Sequence, residues 1–347
     1  MIGLVKTKLG SGNVELLNVE EPVCKETEVK VKVKFTGICG TDLHILHGTF
    51  ISYPPVILGH EFSGVVVEVG SSIENVKVGE RVAVLGSTAI TCGKCSYCKS
   101  GNYAFCSERL GMGYGVNGGF TEYVCVREDM VYKLPEHISL EEAALSEPLA
   151  CAVQAIEELT TIHAGDIVLL SGPGPIGLVC ISLLMLKGCK VIVSGTDVDK
   201  QRLKIAKDLG ADVIVNVSAE DLAHVILRET NGLGVDVSID CAGAGPSINS
   251  CLKSLKKLGK HIQVGIVGKP VTMDYDTILY KQLQVFGSLT HSIKTWDRVI
   301  NLFEQKKINL KPLITHILEL EDWSKAFQLC EDKQCGKVLL TPEKLRN

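Results

Sequence analysis

The sequence has no run of five like charges, and 36 basic against 40 acidic residues leave a net charge of only −4. Nothing in it supplies the positive field that a phosphate backbone or an anionic bilayer attracts, so nucleic acid and membrane are not expected as partners. Internal repeats and low-complexity segments are also missing. An uninterrupted apolar span is missing too. Ile167–Leu186 carries no charge over twenty positions, long enough to cross a bilayer. Pro173, Gly174 and Pro175 break it, however, and predict a strand, a tight turn and a helix start. The N-terminus, MIGLVKTKLG, brings Lys6 and Lys8 too early for a secretory apolar region. A cytoplasmic location is the expectation.

What is present fits a folded chain of about two domains. Its 347 residues are 46% hydrophobic and 22% charged, a globular composition that excludes disordered, collagen-like and coiled-coil chains. A chain of this size buries a large core without covalent staples. The fourteen cysteines therefore do not read as a secreted disulfide framework, which belongs to short chains with poor cores. Four of them fall within fifteen residues, a pattern that points to metal.

The first ~150 residues are rich in valine and glycine. Alternation such as Val29-Lys30-Val31-Lys32-Val33-Lys34-Phe35 predicts half-buried antiparallel strands, as do 62–69 and 120–126. From 151 the rhythm changes. Strands are predicted at 167–171, 190–194, 213–216, 235–241, 261–266 and 284–289, with helical segments such as Gln201–Leu209 between them. This alternation predicts an α/β, doubly wound parallel sheet of the nucleotide-binding kind. Amphipathic helices are predicted at 296–306 and 321–331. A last strand, Gly336–Leu340, is expected to return to the first domain.

Ser171-Gly172-Pro173-Gly174-Pro175-Ile176-Gly177 contains G-x-G-x-x-G between a predicted strand and a predicted helix. Gly172 permits the tight turn, Gly174 lets backbone approach a pyrophosphate, and Gly177 lets helix pack on strand. The helix N-terminus then offers free N–H groups to phosphate. Asp197 lies twenty residues beyond Gly177, where a carboxylate accepts from a ribose 2′-OH and repels a 2′-phosphate, favouring NAD over NADP. Two registers stay open. Either Asp197 closes the strand, or Gly195 does and Asp197 or Asp199 sits in the following loop. Pro175, Ile176 and Arg202 complete the candidate cofactor-binding set.

Cys92, Cys95, Cys98 and Cys106 form C-x2-C-x2-C-x7-C, a set that closes a tetrahedron around structural zinc and leaves no open position. The segment is too polar for these to be core cysteines. A second cluster, Cys39-Gly40-Thr41-Asp42-Leu43-His44 with Gly59-His60-Glu61, offers a thiolate, an imidazole and a carboxylate. Three such ligands leave zinc one open position, where it can lower the pKa of a bound hydroxyl.

Together these residues resemble the zinc-dependent medium-chain alcohol dehydrogenase family. The stretch Gly59-His60-Glu61-Phe62-Ser63-Gly64, with Gly70 following, is similar to its zinc signature. Cys39-Gly40-Thr41-Asp42, the four-cysteine lobe, Gly118-Gly119-Phe120-Thr121-Glu122-Tyr123 and Gly172–Gly177 follow the family's order. The resemblance spans nearly the whole chain. It implies a GroES-like catalytic domain, 1–150 completed by 291–347, and a Rossmann domain, 151–290. It implies catalytic zinc on Cys39 and His60, with Glu61 or Glu147 as the carboxylate. Classical ethanol-type members carry cysteine where Glu147 stands, whereas polyol and threonine dehydrogenase branches carry glutamate. It also implies a homodimer or homotetramer.

The activity so implied is oxidation of a secondary alcohol, a polyol or sugar-derived, to a ketone by hydride transfer to NAD. Thr41 matches the hydroxyl that touches the reacting oxygen, and His44 the proton-relay histidine. Asp42 is expected behind His60. L-Threonine 3-dehydrogenase and butanediol dehydrogenase are the alternatives, and a non-catalytic zinc and nucleotide-binding protein is the remaining one. A zinc-free quinone or enone reductase is opposed by both cysteine clusters. In sorbitol dehydrogenase-like members an Arg-Tyr pair contacts polyol hydroxyls, and here Thr290 and His291 stand in its place. They are the residues left to bind hydroxyls there, with Phe50, Ile51 and Tyr53 lining the pocket.

Overall fold

In the computed structural model, which describes residues 1–345, the valine–lysine alternation becomes the strand Glu28–Gly37, with Val29, Val31 and Val33 buried on one side. Its neighbours Glu61–Val69, Tyr123–Arg127 and Lys337–Thr341 all pair with it antiparallel. The final strand thus comes back across the whole chain to join the first, through Leu339 opposite Gly37. A seven-stranded sheet results, with a separate three-stranded sheet at the N-terminus.

The second sheet has six parallel strands in the order Val213–Asn216, Lys190–Gly195, Ile167–Ser171, Val235–Asp240, Leu255–Gln263 and Gln284–Gly287. The chain starts in the middle, winds outward and then switches sides, so a crevice opens beyond the carboxyl ends of Ile167–Ser171 and Val235–Asp240. The expected β-rich domain beside a doubly wound sheet is therefore present. The largest departure from expectation is the strand placed at 261–266, which runs from Leu255 to Gln263; the one placed at 120–126 runs from Tyr123 to Arg127, and the one at 284–289 stops at Gly287. Lys256, Lys257 and Lys260 hid the start of Leu255–Gln263, and its pairing with Val235–Asp240 shifts register between Val235 and Val237.

No helix among the described residues is long and apolar enough to cross a membrane. The uncharged stretch Ile167–Leu186 folds as a buried strand, the turn at Gly172 with φ +93°, and the helix Pro175–Leu186. Proline suits the first turn of that helix because its missing N–H would have no partner there. The main core runs beneath both sheets. It joins the helices Ser146–Val153, Pro175–Leu186 and Ile293–Glu304, with Trp296, Val299 and Phe303 fully enclosed.

Candidate active site

Sheet register assembles the first metal cluster. Gly37 pairs with Glu61, so Cys39, two residues past the end of one strand, meets His60 and Glu61 at the start of the other. Donor atoms of Cys39, His60 and Glu61 lie within 4.8 Å of one another. Cys39 precedes the helix Gly40–Leu46, and its backbone N–H donates to Asp42 Oδ2 at 2.8 Å. Asp42 is fully buried, and its Oδ1 stands 3.8 Å from His60 Nδ1. Neither of those two atoms has a hydrogen-bond partner. A proton on Nδ1 facing Asp42 leaves Nε2 for a metal, the usual arrangement behind a ligating histidine.

Electrostatics support a cation here. Burial pushes the His60 imidazolium down, yet Cys39 and Asp42 beside it raise it well above the ordinary histidine value. Burial likewise raises the Glu61 carboxyl, against the pull of Lys337. Lys337 is itself buried. Its ammonium pairs with Glu61 Oε2 and donates to Ile38 O at 2.9 Å, and Glu61 and Cys39 hold it above its ordinary value against desolvation. A pocket this rich in anions, drawing a proton onto a buried imidazole, fits a divalent ion.

Glu147, on the helix Ser146–Val153, lies across the same site. Burial opposes its ionisation, but the hydrogen bond from His291, helped by His60 and Lys337, holds its carboxyl below the ordinary value. His291 Nε2 lies 3.2 Å from Glu147 Oε1, and Trp296 Nε1 donates to His291 Nδ1 at 2.9 Å. The expectation that His291 binds substrate hydroxyls is therefore corrected, because both ring nitrogens are engaged inside the protein. Ile51 and Tyr53 are exposed, and Phe50 packs edge-on against Tyr114.

His44 and Thr41 share one face of the helix Gly40–Leu46. Thr49 Oγ1 donates to the His44 carbonyl at 3.2 Å and lies 3.1 Å from His44 Nδ1. With the Thr49 hydroxyl hydrogen on that carbonyl, Nδ1 would be the donor and Nε2 would keep its lone pair. A half-buried imidazole with a free acceptor nitrogen suits proton relay.

The four-cysteine lobe closes as expected, with the Sγ atoms of Cys92, Cys95, Cys98 and Cys106 within 4.8 Å of one another. Backbone N–H groups of Cys95 and Cys98 donate to the sulfurs of Cys92 and Cys95 at 3.3 and 3.4 Å. The N–H groups of Lys94 and Cys95 draw the Cys92 thiol down to about 6, which favours thiolate ligation.

At the crevice, a Cβ on Gly172 would lie 2.7 Å from the Ala242 nitrogen, and one on Gly177 would strike the Gly172 carbonyl. A Cβ on Gly174 would meet nothing within 4 Å, so that position is open to a ligand. Gly195 ends its strand, and Asp197 opens the turn after it, exposed, accepting from Asn216 Nδ2 at 2.8 Å. Asp199 is buried and accepts from Thr196, so Asp197 is the carboxylate facing outward. Arg202 points the other way. It is buried and donates to the Cys335 carbonyl at 2.7 Å, which corrects its expected place against the cofactor.

Two residues of the site escaped the sequence reading. Lys337 reads as an ordinary strand lysine until the last strand is placed beside Glu61. Trp296 reads as the apolar face of a helix until its N–H is followed to His291.

The alcohol dehydrogenase GroES-like domain model matches residues 25–136, and the zinc-binding dehydrogenase model matches residues 175–305. A sorbitol dehydrogenase of Halalkalibacterium halodurans is 39% identical over 99% of each chain. A D-arabitol-phosphate dehydrogenase of Enterococcus avium is 40% identical over 98% of this chain and 97% of its own. Among solved structures, 2R,3R-butanediol dehydrogenase from Bacillus subtilis superposes with a TM-score of 0.88 at 31% identity, over 99% of this chain and 100% of its own. The chain belongs to the zinc-dependent medium-chain alcohol dehydrogenase family. It is an oxidoreductase built for zinc and a nicotinamide dinucleotide.

Proposed function

We propose that this dehydrogenase oxidises a secondary hydroxyl of a polyol or a sugar-derived alcohol, with NAD as acceptor. The observation that carries the reading is the open cluster Cys39, His60 and Glu61, with the paired orphan atoms of Asp42 and His60 behind it and His44 beside it. A zinc ion held there supplies Lewis acidity to the substrate hydroxyl, and a dinucleotide on the Gly172–Gly177 turn supplies the hydride acceptor. Thr41 orients the hydroxyl and accepts its proton contact. His44 Nε2 takes the proton outward, and Thr49 keeps the ring in the tautomer that can do so. Asp42 fixes the His60 ring.

The relatives named for sorbitol, arabitol phosphate and butanediol support a polyhydroxy substrate. The cavity that reaches His291 is lined by Thr88, Asn102, Gln154 and Ser292 among apolar side chains that include Leu85, Leu159, Leu289 and Ile293. Gln154 Oε1 is buried without a hydrogen-bond partner. Asp197 supports NAD over NADP. Fourteen cysteines, free throughout, support a reducing cytoplasm. The edge strand Gln284–Gly287, with Leu279, Tyr280 and Val285 exposed nearby, supports pairing with a second copy.

The test is the appearance of reduced nicotinamide on sorbitol, xylitol, other sugar alcohols, their phosphates, 2,3-butanediol and L-threonine, each with NAD⁺ and NADP⁺. Strong turnover of a polyol with NAD⁺ is the expected result. Turnover of L-threonine alone would overturn the substrate class. No turnover with either cofactor, despite two zinc ions per chain, would favour a non-catalytic role.

A further inference from the structure

Thr290 sits at φ +53°, in the left-handed region where a β-branched residue is strained. Such strain persists only where the surroundings impose it, and it gathers at functional sites. Here it delivers the next residue inward. His291 is buried, edge-on to Trp296 with ring centroids 5.6 Å apart.

An indole N–H can only donate. Its bond to His291 Nδ1 at 2.9 Å therefore requires a lone pair on Nδ1. The ring's hydrogen must then lie on Nε2, where it donates to Glu147 Oε1 at 3.2 Å. The same logic decides a second question. Glu147, Cys151 and His291 bring donor atoms within 4.8 Å, a grouping that resembles a third metal site. With Nδ1 already accepting from Trp296, a metal on Nε2 would need the ring as imidazolate. His291 is thus a donor and not a ligand.

Cys151 Sγ also donates to Glu147 Oε1, at 3.6 Å. Two neutral donors crowd one oxygen of this carboxylate. We propose that His291 is a positioning residue: Trp296 locks it as the Nε2–H tautomer, and in that form it pins Glu147 Oε1 and reserves Oε2 for the ion held by Cys39 and His60. Because the donor is uncharged, it orients Glu147 without cancelling the negative charge that the ion needs. This rests on the dehydrogenase reading above.

The test uses the full-length protein with cobalt(II) in place of zinc, read by chelator competition and by the d–d bands lost on Cys39→Ala. His291→Phe should weaken cobalt at this site by about 10–100-fold and shift those bands, as loss of a ligand-orienting partner does. Cobalt in the four-cysteine lobe and the melting transition serve as controls for folding. His291→Gln should restore affinity and bands, since its amide can donate to Glu147 and accept from Trp296. Nitrogen-15 spectra of labelled histidine should place the hydrogen of His291 on Nε2. Unchanged cobalt binding in His291→Phe, a glutamine variant as poor as phenylalanine, or hydrogen on Nδ1 would each overturn the proposal. Failure of the unsubstituted protein to take any cobalt that Cys39→Ala removes would instead overturn the dehydrogenase reading.

Discussion

Lys337 and Glu61 form a buried ion pair across the strand that lies between theirs, with side chains only 3% and 2% exposed. Gly37 on the intervening strand makes room for it: a Cβ there would lie 2.7 Å from Lys337 Cε and would strike the Glu61 carboxylate. The pair ties the last strand to the strand that begins at Glu61, beside the candidate ligands Cys39 and His60. Removing one member leaves the other charge buried, which costs about 3–5 kcal/mol. Lys337→Met should lose that much in urea unfolding of metal-depleted protein, and Lys337→Met with Glu61→Leu should recover most of it. A loss of about 0.5 kcal/mol, typical of a surface substitution, would show that the pair does not hold the site together.

Gly174 and Gly177 belong to one motif but should fail differently. A methyl group at 174 meets no protein atom, whereas at 177 it strikes the Gly172 carbonyl. Gly174→Ala should therefore melt like the unsubstituted protein and bind dinucleotide weakly, because the backbone no longer reaches the pyrophosphate. Gly177→Ala should lose stability as well as binding. Calorimetric melting and dinucleotide titration of the two variants separate these effects. Equal loss of stability in both would show that Gly174 has a packing role.

Asp197 is held by Asn216 at 2.8 Å and flanked by Lys200 at 3.4 Å, so its carboxylate is steadied at the crevice edge. A hydrogen bond to a charged group contributes about 1.5–3 kcal/mol. Asp197→Ser should lower kcat/KM for NAD⁺ by about 10–100-fold and lower it less, or raise it, for NADP⁺. An unchanged NAD⁺/NADP⁺ ratio would remove Asp197 from cofactor selection.

The features legible in the sequence were those whose partners are close along the chain. The Gly172–Gly177 turn and the four-cysteine lobe announce themselves by spacing. Cys39 and His60 do so through the motifs around them. What stayed hidden depends on packing between distant segments. His291 meets Glu147 across 144 positions, and only the fold shows that its ring is fully used there. Arg202 stands near the acidic turn after Gly195, as a cofactor-binding arginine would. Its hydrogen bond to the Cys335 carbonyl joins the parallel-sheet domain to the loop before the last strand instead. Strand Leu255–Gln263 begins before its apolar pattern shows, because lysines interrupt that pattern.

The four-cysteine lobe should be separable from catalysis in a measurable way. Its four sulfurs leave no position for substrate, yet residues 101–105, inside the lobe's long spacing, line the same cavity as Gln154 and His291. Loss of this metal should therefore loosen one wall of the cleft without touching Cys39, His60 or Glu61. Cys98→Ser should lower zinc from two ions to one per chain and lower the melting temperature. It should also raise KM for the alcohol more than it lowers kcat, because positioning suffers while the reacting groups stay in place. Zinc content, melting and steady-state kinetics on one preparation test all three. A variant with one zinc ion and unaltered KM would show that the cleft wall stands without the metal, and that the lobe contributes to stability alone.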